Sequence, residues 1–192
     1  VDAFAKKVAR SQIVFIPGGF SGGDEPDGSG KFITAFFRNG SIKDAVTDLL
    51  TDTAVAQTYM LPDFASRTDA IPLFERLMGL SLGKDRFVRC ISLGKTAIGF
   101  LNEVEIKDGQ IELGYVIHPR FHGKGYMTQA LKAAIEELFS DGYREVITGA
   151  FEENRASIRV MEKAGMQPIE KTEEIEYRGQ THKCVYFERC KP

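Results

Sequence analysis

The sequence predicts an α+β fold in which a mixed, mostly antiparallel central sheet is flanked by helices. Three β-rich runs, Arg86 to Leu93, Thr96 to Ile106 and Ile111 to His118, are joined by short turns. Such short connections favour antiparallel neighbours. The apolar residues of Tyr126 to Phe139 recur at helical spacing, and Arg178-Gly179 provides the turn of a hairpin near the end of the chain.

The elements before the three strands are less regular. Gln12 to Ile16 is a short β-branched run that precedes a long glycine-rich loop. From Phe32 to Leu50 the apolar spacing predicts one or two amphipathic helices, although a strand at Phe32 to Phe37 also fits. A further amphipathic helix is predicted over Ile71 to Leu80.

The elements after the long helix complete the pattern. Val146 to Phe151 is predicted to be a strand, and Arg155 to Ala164 a helix with Asn154 as its N-cap. The hairpin then consists of Gln167 to Tyr177 and Lys183 to Arg189.

Composition excludes several classes of partner. The chain has 192 residues, which suits one domain with or without an appendage, and its formal net charge of -2 argues against nucleic-acid binding. No apolar run approaches the roughly 20 residues that span a bilayer, so we expect no membrane partner. The 3 cysteines show no CxxC spacing, which favours a reducing cytoplasm and no metal site. A monomer or a homodimer is expected.

One turn carries a chemical signal. The strand that ends at His118 runs through Pro119 into Phe121-His122-Gly123-Lys124-Gly125-Tyr126-Met127, which opens the long helix. Glycines leave backbone N–H groups uncovered there, and the positive end of the helix dipole favours an anion such as a pyrophosphate. An ordinary tight turn is the alternative explanation.

The order of elements around this turn resembles the GNAT N-acetyltransferases, whose acetyl-CoA signature is Gln/Arg-x-x-Gly-x-Gly/Ala. Two registers compete, and His122 to Met127 places the helix start better than Arg120 to Gly125, although His122 and Met127 depart from the family pattern. The Gly-Lys-Gly-Tyr core, Pro119, Asn154-x-x-Ser157 and Glu162 to Met166 are similar to the ribosomal-protein N-terminal acetyltransferases. The resemblance covers residues 54 to 190.

The resemblance implies transfer of an acetyl group from acetyl-CoA, the co-substrate, to a primary amine on a small molecule or a peptide. It implies that pantetheine lies like an extra strand beside the strand around Ile117. The residues implied to bind acetyl-CoA are Ile117, His122, Gly123, Lys124, Gly125, Tyr126, Met127, Thr128, Asn154 and Ser157.

The catalytic residues are less clearly marked. Where many GNAT enzymes have a tyrosine acid, this chain has Met161, so Ser157 is the substitute, unless it only caps or packs. Glu112 and Glu176 are the candidate bases, with Glu103 behind them, although each is individually typical of a solvated strand residue. The missing tyrosine keeps an acyl-CoA-binding module without turnover as an alternative.

The first quarter has a different resemblance. Pro17-Gly18-Gly19-Phe20-Ser21, within Ile13 to Leu50, is similar to the glutamine amidotransferase domain of phosphoribosylformylglycinamidine synthase. No nucleophilic cysteine, histidine or glutamate of that family follows, so residues 1–50 are expected to be catalytically incomplete. They form a fused appendage, or Lys31 to Leu50 supplies the first strand and helix of the acetyltransferase domain at residues 51–192. A purine-pathway subunit would need a partner chain carrying the missing cysteine.

Overall fold

A computed structural model describes residues 14–15, 40–81, 86–94 and 96–192 of the chain. Within these ranges the strands form one sheet in the order β1-β2-β3-β4-β5-β7-β6. The strands are β1 Val14–Phe15, β2 Val88–Leu93, β3 Thr96–Lys107, β4 Gln110–Ile117, β5 Glu145–Phe151, β6 Gln167–Tyr177 and β7 Gln180–Cys190. All neighbouring strands are antiparallel except β4 and β5, which are parallel.

Helices flank the sheet on both sides. They are α1 Gly40–Thr51, α2 Thr53–Thr58, α3 Arg67–Ser81, α4 Tyr126–Ser140 and α5 Arg155–Lys163, with a 3-10 turn at Pro119–Phe121. The predicted α+β class, with a mostly antiparallel sheet, is confirmed. None of the helices in the described ranges is long and apolar enough to cross a membrane.

The two sheet faces carry separate cores. Helices α4 and α5 bury Leu131, Ile135 and Met161 against one face. Helices α1 to α3 cover part of the opposite face, where Leu49 and Phe74 pack with strand residues. We call the first face the α4 face and the second the α1 face.

Helix α3 begins at Arg67, earlier than the predicted start at Ile71. The Ser66 hydroxyl accepts the backbone N–H of Asp69 at 3.3 Å, and it donates to the Asp69 carboxylate at 2.9 Å. The Ser66 hydroxyl thus caps one backbone N–H of the first turn, which stabilises a helix start ahead of Pro72.

Helix α1 belongs to the segment that resembles an amidotransferase. Its buried residues Ile42, Val46 and Leu49 pack in the same cluster as Phe100 of β3 and Val116 of β4. The predicted strand at Phe32 to Phe37 lies outside the described residues. The domain boundary after residue 50 stays a prediction.

The hairpin formed by β6 and β7 contacts α2 and the segment that follows it. The Tyr177 hydroxyl donates toward the carbonyl oxygens of Ala56 at 2.6 Å and Leu61 at 3.2 Å. Next to it, Arg178 forms an ion pair with Asp63. The tip of the last hairpin is therefore fixed to a segment more than a hundred residues earlier.

Candidate active site

Strands β4 and β5 separate after a short stretch of pairing. Their register pairs Gln110 with Glu145, Ile111 with Val146 and Glu112 with Ile147, and it stops there. The His118 N–H donates to the Ile98 carbonyl of β3 at 2.8 Å. Because successive strand residues alternate sides, the backbone groups of Tyr115 and Ile117 point away from β3. They face the gap between β4 and β5.

A cavity of about 510 Å³ occupies this gap. Tyr115 and Ile117 contribute to its wall from the α4 face, and Val116 and Tyr59 contribute from the α1 face. Residues of both faces thus line one space, which runs from the glycine turn to helix α2. Such a shape admits two reactants from opposite sides of the sheet.

The glycine turn forms one end of the cavity. Gly123 has a φ of 73° and Gly125 a φ of 77°, the left-handed conformation that favours glycine. Gly125 is the N-cap of α4, and no side chain caps the helix there. The first N–H groups of α4 therefore lack the usual side-chain acceptor, which is the arrangement that binds anions.

The structure brings most of the predicted acetyl-CoA residues together. The predicted residues that line the cavity are Ile117, His122, Gly123, Gly125, Tyr126, Met127, Thr128, Asn154 and Ser157. Lys124 does not line it, and its ammonium group lies 5.5 Å from the centre of the Phe121 ring. The His122 ring contacts the Ile117 carbonyl at 2.9 Å through Nε2, so that carbonyl already has a partner.

The start of α5 forms the opposite wall. The Asn154 side chain accepts the Ser157 N–H at 3.2 Å, which confirms the predicted N-cap. The Tyr115 hydroxyl donates to the Ser157 carbonyl at 3.1 Å. Met161, which the resemblance puts at the tyrosine position, is fully buried in the core of the α4 face.

The candidate bases lie in three different environments, and none of them lines the cavity. Glu112 is the last residue of β4 paired with β5, and burial raises the pKa of its carboxyl group. Glu176 is exposed near the tip of the hairpin, where it accepts the Thr181 hydroxyl. Glu103 is buried, accepts the Phe87 N–H and forms an ion pair with the Arg86 side chain.

Sequence reasoning missed two tyrosines in the cavity. Burial raises the pKa of Tyr115 to about 12, so its phenol stays protonated at neutral pH. Burial also raises the pKa of Tyr59, whose hydroxyl donates to Asn102 Oδ1 at 2.5 Å. Neither contact could be found from the sequence, because each joins side chains that are distant in the chain.

A basic stripe was missed as well. Arg155, Arg159 and Lys163 line the cavity from one side of α5. Their spacing of four residues places them on the same helical face, and this signal was available in the sequence.

A parallel strand pair that separates beside a glycine turn, with a cavity in the gap, is the arrangement that the resemblance implied for an acetyl-CoA-dependent transferase. The chain belongs to the GNAT acetyltransferase family, since the family model described as an acetyltransferase (GNAT) domain matches residues 36–167. It is an acetyltransferase, as the sequence predicted. A second model, a CobB/CobQ-like glutamine amidotransferase domain, matches residues 2–59, in agreement with the other resemblance.

Solved structures show the same fold. A GNAT-family acetyltransferase from Bacillus anthracis aligns with a TM-score of 0.70 at 19% identity, over 94% of this chain and 95% of that one. RimL, a ribosomal L7/L12 α-N-protein acetyltransferase in complex with coenzyme A, gives 0.67 at 19% identity, over 77% and 88%. The microcin C7 self-immunity acetyltransferase MccE, in complex with acetyl-CoA and AMP, gives 0.64 at 14% identity, over 96% and 94%. No curated protein matches this chain in sequence.

Proposed function

We propose that this enzyme transfers the acetyl group of acetyl-CoA to a primary amine, and that a protein or peptide N-terminus is the first acceptor to test. The observation that carries the proposal is the cavity through the gap between β4 and β5. It gives acetyl-CoA access from the glycine turn and the amine access from the α1 face. RimL supports an N-terminal acceptor only by its fold, at 19% identity.

Acetyl-CoA fits the groups that line this cavity. Its pyrophosphate would accept from the backbone N–H groups of Gly123 to Thr128, at the positive end of α4. Its pantetheine amides would pair with the backbone groups of Tyr115 that face the gap, as an added strand does. Arg155 and Arg159 add positive charge on the α5 wall, which suits a ligand with several phosphates.

Glu112 is our preferred base, and because its side chain does not line the cavity it would take the proton through a water. It lies on β4 where pairing with β5 ends. Its neighbours Ile111 and Leu113 pack on the α4 face, so strand alternation directs Glu112 to the α1 face, on the side opposite the pyrophosphate. A carboxyl group with a raised pKa is a better proton acceptor than an ordinary one, provided that it is charged at the working pH. Glu176 remains a second candidate at the edge of the acceptor side. The Ser157 hydroxyl is the candidate donor to the departing thiolate.

The amine attacks the thioester directly in a ternary complex, without an acetyl-enzyme. All three cysteines are free thiols, and none lines the cavity. Cys184 packs next to Tyr186, and burial raises the pKa of its thiol, which keeps it in the unreactive protonated form. We expect the enzyme to act in the reducing cytoplasm, where free thiols persist, as a monomer or a homodimer.

The test follows release of the CoA thiol with three acceptor classes: peptides with a free N-terminus, polyamines and amino-sugar antibiotics. Mass spectrometry of the product then locates the acetyl group. Binding of acetyl-CoA without turnover on any of them would instead support an acyl-CoA-binding module.

The active acceptor is next used to compare Glu112→Gln, Glu176→Gln and Ser157→Ala, with exposed Glu174→Gln as the control. Loss of the base should lower kcat by about 10²- to 10⁴-fold at unchanged affinity for acetyl-CoA. If both glutamine variants keep the wild-type rate across pH, the base assignment is wrong. Trapping a labelled acetyl group on the protein without acceptor, at a rate competent for turnover, would contradict direct attack.

A further inference from the structure

A cluster of charged side chains surrounds Glu112 on the α1 face. The Lys171 ammonium group lies 3.5 Å from Glu112 Oε2 and 3.3 Å from Glu173 Oε1. Glu105 is opposite Glu112 in the register of β3 and β4. One cation is therefore shared between two carboxylates, and a third carboxylate lies beside Glu112 on the neighbouring strand.

Two irregularities in the sheet lie beside this cluster. The pairing of β6 with β7 shifts between Ile169 and Thr172, so Lys171 falls in a bulge. A second shift, in β3, lies between Glu103 and Glu105. Bulges re-aim side chains and are over-represented next to active sites.

The position of Lys171 is fixed by an aromatic ring. Its ammonium group lies 3.9 Å from the centre of the Tyr186 ring, and the Tyr186 hydroxyl donates to Glu173 Oε2 at 2.9 Å. The ring occupies space next to Gly149 of β5, where an added Cβ would lie 2.7 Å from a ring atom. Only glycine at position 149 allows this packing, so the strand across the gap helps to hold the lysine.

The charges around Glu112 oppose one another. Burial raises its pKa, Lys171 lowers it, and the nearby Glu173 and Glu105 raise it. The other titratable groups of the cluster are Cys184 and Tyr186, and burial raises the pKa of both, so neither is charged near neutral pH. Lys171 is thus the cation that favours the charged form of Glu112.

We propose that Lys171 is a positioning residue for the base, because its ammonium group keeps the Glu112 carboxylate charged and fixed at the root of the gap. This inference rests on the proposed function, in which Glu112 takes the proton from the acceptor amine. Glu173 and Tyr186 hold the lysine in place, and it transfers no proton itself. The ion pair between Lys171 and Glu112 is only partly screened by solvent, because 18% of the Glu112 side chain is exposed.

The first experiment needs no acceptor. Protein labelled with ¹³C at glutamate side chains is titrated by NMR, and the Glu112 signal is assigned by its loss in Glu112→Gln. In Lys171→Gln the Glu112 midpoint should rise by about one pH unit, the lower end of the effect of removing an opposite charge at this distance. Lys171→Arg should restore it. Lys183→Gln on β7, which breaks the exposed ion pair between Lys183 and Glu152, is the matched control and should leave the Glu112 midpoint in place.

The second experiment measures kcat/KM against pH with a short peptide that has a free N-terminus. In Lys171→Gln the acid-side break of the profile should move to higher pH. At a pH below the breaks of both the wild type and this variant, kcat/KM should therefore fall about tenfold. Lys171→Arg should restore the wild-type break. The role of Lys171 alone would be overturned if Glu112→Gln is inactive while Lys171→Gln behaves like the wild type. In that case neither the Glu112 titration midpoint nor the acid-side break of the kcat/KM profile would move. Full activity of Glu112→Gln would overturn the base assignment itself, together with the role of Lys171.

Discussion

Gly125 offers a direct test of where the pyrophosphate binds. Its φ of 77° and ψ of 4° place it in the left-handed region at the N-cap of α4. A residue with a Cβ costs roughly 1–2 kcal/mol there. An added Cβ would meet no protein atom closer than 4.0 Å, so Gly125→Val should fold with a lower free energy of unfolding.

Gly125→Val should also weaken acetyl-CoA binding, through an effect that is separate from its loss of stability. The Cβ at position 125 would project where the backbone is expected to approach the phosphates, and strain would turn the neighbouring N–H groups. Loss of one hydrogen bond to a charged group costs about 1.5–3 kcal/mol, which corresponds to a roughly 10- to 150-fold higher Kd for acetyl-CoA. Calorimetry measures this Kd, and urea unfolding measures the stability.

Gly142→Val is the matched control. Gly142 follows the other end of the same helix with a φ of 99°, no atom lies within 4 Å of its added Cβ, and it does not line the cavity. It should lose a similar free energy of unfolding while its Kd stays at the wild-type value. If Gly125→Val also binds acetyl-CoA with wild-type affinity, the turn is not the pyrophosphate site.

Three further outcomes are expected. Glu103→Leu removes the buried side-chain oxygen that accepts the Phe87 N–H, so urea unfolding should show a loss of about 1–3 kcal/mol without a change in Kd for acetyl-CoA. An unchanged stability would contradict this structural role. Tyr177→Phe removes the 2.6 Å hydrogen bond to the Ala56 carbonyl, so the acceptor KM should rise while Kd for acetyl-CoA is kept, and equal effects on both would argue against a contact specific to the acceptor side. Arg159→Gln should weaken acetyl-CoA binding severalfold at low salt and less at high salt, unlike Arg76→Gln on α3, and a salt-independent loss would exclude charge attraction.

The fold was largely predictable because its turns are marked by local chemistry. Glycines at positive φ end several of the predicted elements, among them Gly94, Gly109 and Gly165. The predicted second hairpin strand began at Lys183, whereas β7 begins at Gln180, because a tight turn at Arg178-Gly179 lets pairing start at once. Local signals thus place elements well and their ends less well.

The sequence predicted the parts of the site that are formed by contiguous residues, and it did not predict contacts between residues that are distant in the chain. The glycine turn and the Asn154 cap are contiguous motifs, and the structure places both against the cavity. The contact between Lys171 and Glu112 joins residues 59 positions apart and depends on strand order and a bulge. Lys171 is the one basic residue of β6, among 4 glutamates, but the sequence does not show that its partner is Glu112 on β4.

The hydrogen bonds of Tyr177 affect which sequence changes the segment around residues 56 to 61 can accept. The hydroxyl recognises carbonyl oxygens of the backbone at residues 56 and 61 and no side chain there. Substitutions in the segment therefore leave this anchor intact, provided that α2 ends at the same place. Residues 36–59 match both family models, and this stretch contains Ala56, whose carbonyl oxygen accepts from the Tyr177 hydroxyl. A chimera that exchanges the N-terminal segment should keep acceptor binding if the backbone path is preserved, however foreign its side chains.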